Sequence, residues 1–293
     1  MTRISKLVPV LRVTNLLIDG IGATKETRTV HELHASDLTK QDPLFCPREM
    51  VLMRELGVSR PLSWMHYAHA MRMTWDQGHD MQWRINNEYL RDYMVGDWHC
   101  LRCDERLEWC TAPLDQGCID PEGGYHGHHL WEYREPVFHH PSGFSGSLDG
   151  IVRFSKEKQR MLEVKIMAPE EFKGLKAPLA EHRVRTQLYL RMLAESEDVR
   201  THMLDTSEAH VLYVSRAYGA KNELGKVSPF REYIVKRDDA QVERYVHMAN
   251  AVSGDMPEGI CSSALVGRAE KCPVAKPCWS GKHPAKVFWR GKK

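Results

Sequence analysis

Two alternating segments joined by a short polar turn constrain this chain more than any other feature. Residues 144–154 read as a strand, 155–159 as a polar turn and 160–167 as a second strand. In Met161-Leu162-Glu163-Val164-Lys165-Ile166-Met167 the period of two puts Glu163 and Lys165 on one face and Leu162, Val164 and Ile166 on the other. The second set is core. The preceding strand carries Gly146-Ser147-Leu148-Asp149-Gly150. With the turn centred near Glu157, Asp149 faces Lys165 across the ladder and Glu163 lies diagonal on the same side. Two carboxylates and an ammonium then converge. The carboxylates are hard oxygen ligands suited to Mg²⁺ or Mn²⁺, and the ammonium can orient a water and offset charge developing on a phosphate. This arrangement suits phosphodiester hydrolysis. Glu-x-Lys alone has no such force, because Glu171-Phe172-Lys173 repeats the spacing after Pro169, outside any strand. The upstream Gly-x-x-Asp on the adjoining strand gives the copy at Glu163 its meaning.

The 293 residues suffice for one large domain with an insertion or two modest ones. Residues 1–45 are poorly patterned. Residues 63–73 and 75–93 read as two helices, the second with Trp83, Leu90 and Met94 on an apolar side. Residues 96–127 are rich in Cys, Asp, Gly and His and poor in periodic apolar residues, which marks an inserted, ligand-held loop. Extended chain follows at 130–139, a helix at 179–196, strands at 209–214 and 230–235, and a helix at 238–252. Helices flanking a central sheet make an α/β domain. The expected organisation is an N-terminal helical part at 1–95, an inserted zinc-binding loop at 96–129, a core at 130–255 and a cysteine-rich basic tail at 256–293.

No apolar run approaches the ~18 residues that a membrane span requires. The stretch 7–18 is interrupted by Arg12, Thr14 and Asn15, and no small-residue cleavage site follows, so a cytoplasmic protein is expected. The net charge is +2, yet residues 261–293 carry +7 and leave −5 for the remainder. Such asymmetry points to a polyanion, most plausibly nucleic acid, although a basic tail also serves as a solubilising end. Eight cysteines without an export signal read as thiolates or metal ligands rather than disulfides. Cys100, Cys103, Cys110 and Cys118 open with Cys-x-x-Cys and fit a small tetrahedral zinc site, with His126, His128 and His129 as competitors for the last positions.

From about Cys46 to Cys278 the sequence resembles the RecB-like branch of the PD-(D/E)XK nucleases, which includes phage exonucleases and CRISPR-adaptation exonucleases. Gly146 to Asp149 looks like the second motif of that family and Glu163 to Lys165 like the third. The resemblance implies a restriction-endonuclease-like core, with a central mixed sheet flanked by helices, and a metal-dependent DNA nuclease of recombination, repair or phage DNA metabolism. Bacterial cytoplasm and recombination or replication partners are implied with it. The helix after the third motif carries a QxxxY element in the family, and this chain has Gln187-Leu188-Tyr189 there. Residues two apart on a helix diverge by about 200°, so only Gln187 is carried over as catalytic. The first motif, GxxxH, is matched by Gly78 to Gln82, with Gln82 in the place of the His. His79, one turn away, is the candidate substitute as metal ligand, and Glu132 or Glu135 can hold metal-bound water instead. Cys46 with Cys261, Cys272 and Cys278 resembles the iron–sulfur staple of such nucleases, which implies a four-iron, four-sulfur cluster. The competing function is a non-catalytic nucleic-acid-binding module, a degenerate nuclease fold with structural zinc. The missing first-motif His favours it, and retention of Asp149, Glu163 and Lys165 together opposes it.

Overall fold

The computed structural model describes residues 32–39, 44–57, 65–119, 122–124, 127–155, 158–217, 220–221, 227–264 and 266–280. The stretch 7–18, His126, Glu157 and the last five basic residues of the tail, Lys282 to Lys293, lie outside these. Among the described residues no helix is long and apolar enough to cross a membrane.

The fold is mixed α/β. Strands β1 (Leu33–His34), β2 (Val95–Cys100), β3 (Arg106–Thr111), β4 (Trp131–Arg134), β5 (Val137–His140), β6 (Phe144–Ser147), β7 (Gly150–Ser155), β8 (Lys158–Met167), β9 (Glu208–Ser215), β10 (Ala220–Lys221), β11 (Val227–Ser228) and β12 (Phe230–Lys236) form several sheets. Helices are α1 (Ala35–Leu38), α2 (Pro47–Leu56), α3 (Met65–Arg84), α4 (Pro169–Gly174), α5 (Ala180–Glu195), α6 (Asp239–Ser253), α7 (Gly267–Glu270) and α8 (Ala275–Ser280). The central sheet has the order β12-β9-β8-β7. Strand β8 runs parallel to β9 and antiparallel to β7, so the sheet is mixed and β8 is paired on both edges. This interior position explains why its apolar residues are buried almost throughout.

Alternation in β8 sends its side chains into different cores on its two sides. Met161 joins Leu188, Tyr189 and Leu193 of α5 and Val242, Tyr245 and Val246 of α6. Leu162 and Val164 pack the other way, against Trp98, Trp131, Tyr133 and Ile85. Helix α2 is tied to the C-terminal arm by Arg48, whose Nη1 donates to Pro257 O at 2.9 Å, and by Arg268, which donates from Nε to Leu44 O at 3.0 Å.

Several expectations are corrected. The strand expected over 144–154 breaks at Leu148 and Asp149: β6 pairs with β1 and β5, whereas β7 joins the central sheet. The break has a chemical reason, because Asp149 Oδ2 accepts the β8 backbone N–H of Val164 at 2.7 Å. The register Gly150↔Leu162 centres the turn one residue earlier than Glu157, so continuing the ladder sets Asp149 opposite Glu163 rather than Lys165. Residues 65–93 form one helix, α3, running into a π turn (Ile85–Tyr89) and a 3-10 turn (Arg91–Tyr93), not two helices. Trp83, expected on an apolar side, is 41% exposed. The cysteine-rich loop is a three-stranded sheet, β3-β2-β4, and it runs on through Arg134 rather than closing at residue 129.

Candidate active site and cysteine centres

The edge of β8 and the elements around it build one acidic cluster. Lys165 Nζ donates to Asp149 Oδ2 at 3.0 Å and to Val164 O at 2.9 Å, and lies 2.6 Å from Glu163 Oε1. Glu163 is 1% exposed, and its Oε2 is buried without a hydrogen-bond donor. Burial first, and the Asp149 charge second, push the Glu163 carboxyl up. Burial opposes the Lys165 charge, but Asp149 and Glu163 outweigh it and raise that pKa. The sequence expectation that Asp149, Glu163 and Lys165 converge therefore describes the geometry, although by a different register.

The end of α3 fixes the cluster from below. The π turn widens the helix by one residue, and such turns occur frequently at functional sites. Asn86 Nδ2 donates to Asp149 O at 2.7 Å, and Asn87 Oδ1 accepts from Tyr133 N at 2.6 Å. Gln82 Nε2 donates to Glu135 Oε1 at 2.5 Å, while the Trp83 indole donates to Glu132 Oε1 at 2.9 Å. These contacts decide between the two glutamates. Glu132 is held by Trp83 and Arg134, whereas Glu135 adds its charge to those of Asp149 and Glu163. Glu135 is exposed as a residue, yet loss of water around its carboxyl, reinforced by Asp149, pushes its pKa up to about 7.

Two candidates do not join the cluster. His79 is exposed on α3, and Gln82 is the residue of that helix that reaches an acid of the site. Gln187 is buried and both ends of its amide are used: Nε2 donates to Lys236 O and Oε1 accepts from Asp238 N, each at 2.5 Å. It staples α5 to the turn between β12 and α6. The residue α5 presents to the site is Arg185, whose Nε lies 3.8 Å from Glu163 Oε1. Nearby, His182 Nδ1 and the Tyr213 hydroxyl are 3.0 Å apart, and burial, then the charges of Lys165 and Arg185, hold the His182 pKa down at about 3. Its imidazole is neutral. Arg185 and His182 carried no sequence signal beyond their place two and five residues before Gln187.

The first cysteine centre differs from expectation in one ligand. Cys100, Cys103, Cys118 and His129 offer ligand atoms that all lie within 4.8 Å of one another. Cys103 Sγ is 3.4 Å from His129 Nδ1, and Cys100 Sγ is 3.9 Å from Cys118 Sγ. Burial works against a Cys100 thiolate, but the N–H groups of Cys103, Arg102 and Leu130 outweigh it and bring Cys100 down to about 6. Cys110 is excluded by strand geometry. It pairs with Gly96, four residues along β2 from Cys100, which separates them by about 13 Å. A Cys₃His set is thus present that can bind a metal ion.

The second centre gathers Cys46, Cys261, Cys272 and Cys278 around one open pocket, lined also by Glu49 and Arg268. These thiols do not form a group within 4.8 Å, so they are more open than a single-ion site. Burial raises the pKa values of Cys261 and Cys272, and that of Cys278 to about 11. Arg268 offers hydrogen bonds to Cys261 and Cys272, and Arg48 to Cys278. Four thiols line this pocket, with two guanidinium groups beside them.

No family model and no curated protein matches the chain. Among solved structures it is similar to SSO0001, with 13% identity and a TM-score of 0.40 over 82% of this chain and 85% of that one. It is also similar to the alkaline exonuclease LHK-Exo from Laribacter hongkongensis, with 13% identity and a TM-score of 0.41 over 78% of this chain and 88% of that one. The complex of LHK-Exo with dAMP matches at 14% identity and a TM-score of 0.39 over the same shares. Similarity of this degree leaves function to be read from the residues themselves.

Proposed function

We propose that the protein is a metal-dependent DNA nuclease with a restriction-endonuclease-like core, hydrolysing phosphodiester bonds as an exonuclease. The reading rests on one observation above others: Glu135, Asp149 and Glu163 surround Lys165, and Glu163 keeps a buried carboxylate oxygen without a donor. A buried anionic oxygen left unpaired is unfavourable unless a cation completes it. Asp149, Glu163 and Glu135 would hold Mg²⁺ or Mn²⁺, which when bound polarises a phosphate and makes its water more acidic.

The chain supplies the remaining roles. Lys165 donates to Asp149, opposes the rise of the Glu163 pKa and would orient water beside them. Gln82 holds Glu135 at the exposed rim, where it would complete the ligand set with Asp149 and Glu163. Gln187 acts only by docking α5.

The Cys₃His set is read as a structural zinc site, because closed soft and borderline ligand sets of this kind favour Zn²⁺. The four cysteines around the cavity are read as ligands of a four-iron, four-sulfur cluster. DNA is the proposed partner, gripped in part by the basic tail. Recombination or replication proteins are the proposed setting. Incubating labelled single- and double-stranded DNA with the protein and Mg²⁺ or Mn²⁺ tests the reading. Absence of cleavage with retained DNA binding would leave the non-catalytic module instead.

A further inference from the structure

The two cations of the site are in opposite states. Lys165 Nζ has three neighbouring acceptors, Asp149 Oδ2, Val164 O and Glu163 Oε1, which match the three protons of an ammonium. Arg185 makes no hydrogen bond within the described structure: its Nε is buried without an acceptor, 3.8 Å from Glu163 Oε1. Its side chain is 24% exposed, so the group is neither packed away nor freely hydrated. A guanidinium carries five donors in a planar fork that matches phosphate oxygens. Left beside a carboxylate cluster without an acceptor, it lacks a partner that an oxyanion would supply.

We propose that Arg185, rather than Lys165, donates to the non-bridging oxygens of the scissile phosphate, which makes it a catalytic residue of this site. The inference rests on the nuclease reading for the reaction but not for the contact. Two other polar residues of α5 are already occupied, since Gln187 spends its amide on Lys236 and Asp238, and His182 is engaged with Tyr213. Helix α5 also explains the placement. Thr186, Leu188 and Leu190 are buried on either side of Gln187, which fixes the helix and with it the approach of Arg185 to Glu163.

Full-length wild type, Arg185→Ala, Arg185→Lys and Lys165→Ala are compared in three ways. Binding of a deoxynucleoside 5′-monophosphate in Ca²⁺ should weaken about tenfold in Arg185→Ala, as expected for one lost charge-assisted contact, and much less in Lys165→Ala. Mn²⁺ binding to the nucleotide-free protein, followed by electron paramagnetic resonance, should be no weaker in Arg185→Ala. The kcat for DNA in Mg²⁺ should fall about 10- to 100-fold and recover in part with added guanidinium ion. Arg185→Lys keeps the stem and charge should the alanine variant fail to fold, and it should lose several-fold in kcat because the fork is gone. Unchanged monophosphate affinity in Arg185→Ala, or in Arg185→Lys where only that variant folds, would overturn the inference. Mn²⁺ affinity falling in step with kcat, without rescue, would also overturn it, since Arg185 would then serve only to place Glu163. A wild type that cleaves no DNA would instead refute the nuclease reading, and the monophosphate comparison would still decide the contact.

Discussion

Gly146 lies against the ring of Tyr189 so closely that a Cβ at this position would sit 2.5 Å from Tyr189 Cε1. The glycine of the Gly-x-x-Asp segment is therefore needed for a close approach, not for an unusual backbone angle. Its missing side chain lets α5 pack onto β6 just before the chain turns to deliver Asp149.

Gly146→Ala should therefore destabilise the fold by about 1–3 kcal/mol, the range for overpacking a filled core. Chemical denaturation of the variant, compared with Gly174→Ala, where a Cβ meets nothing within 4 Å, provides the check. Equal stabilities would show that the contact yields freely.

His129→Ala should release one metal ion per chain from the Cys₃His set and lower thermal stability, whereas Cys110→Ala should retain that ion. Elemental analysis of the two variants separates the ligand assignments. Loss of the ion with Cys110 would contradict the geometry. A second consequence is positional: His129 lies two residues before β4, whose far end leads to Glu135, so loss of this ion should loosen an acid of the candidate active site.

Cys46→Ala should bleach absorbance near ~400 nm in anaerobically purified protein, as expected for thiolate-bound iron, and leave the Cys₃His ion in place. The stabilising effect should be large, because Cys46 and Cys261 are more than 200 residues apart and closing a long loop removes much freedom from the unfolded chain. Protein without iron, or colour that survives the substitution, would reject the cluster.

Glu135 gives a pH prediction with a definite sign. Its folded-state pKa of about 7 lies above the ordinary carboxylate value, so the metal-free fold binds the proton more tightly than the unfolded chain does. Its contribution to stability is present at low pH and is lost as pH rises from the unfolded value through about 7. Metal binding has the opposite dependence, since the ion needs the carboxylate. Divalent-ion affinity measured calorimetrically should rise as pH increases through 7, and Glu135→Gln should flatten that rise.

Much of this was legible in the sequence. Alternation in residues 161–167 identified both faces of β8, because an interior strand leaves no freedom in which residues are core. The register was not legible, since the turn between β7 and β8 sets it and a one-residue shift of its centre moves the partner of Asp149 from Lys165 to Glu163. Strand parity could not choose Glu135 over Glu132, because Glu135 lies beyond the end of β4 and its direction is set by Gln82 from another element. Gln187 looked catalytic for want of any sign that the backbone of residues 236–238 would claim its amide. Spacing favoured Cys110 with three histidines as competitors, and the clustering of His129 with the other three cysteines, with Cys110 paired to Gly96, separates them.

The central claim is that Glu163 and Asp149 form a catalytic metal site. Its most direct test is cleavage of end-labelled DNA by wild type, Asp149→Ala and Glu163→Ala in Mg²⁺, with EDTA as control and circular dichroism to confirm folding. Wild type should cleave only with the ion, and each variant should lose more than about tenfold in rate, as expected when a metal ligand is removed. Cleavage that persists in EDTA, or a folded Glu163→Ala protein as active as wild type, would contradict the account.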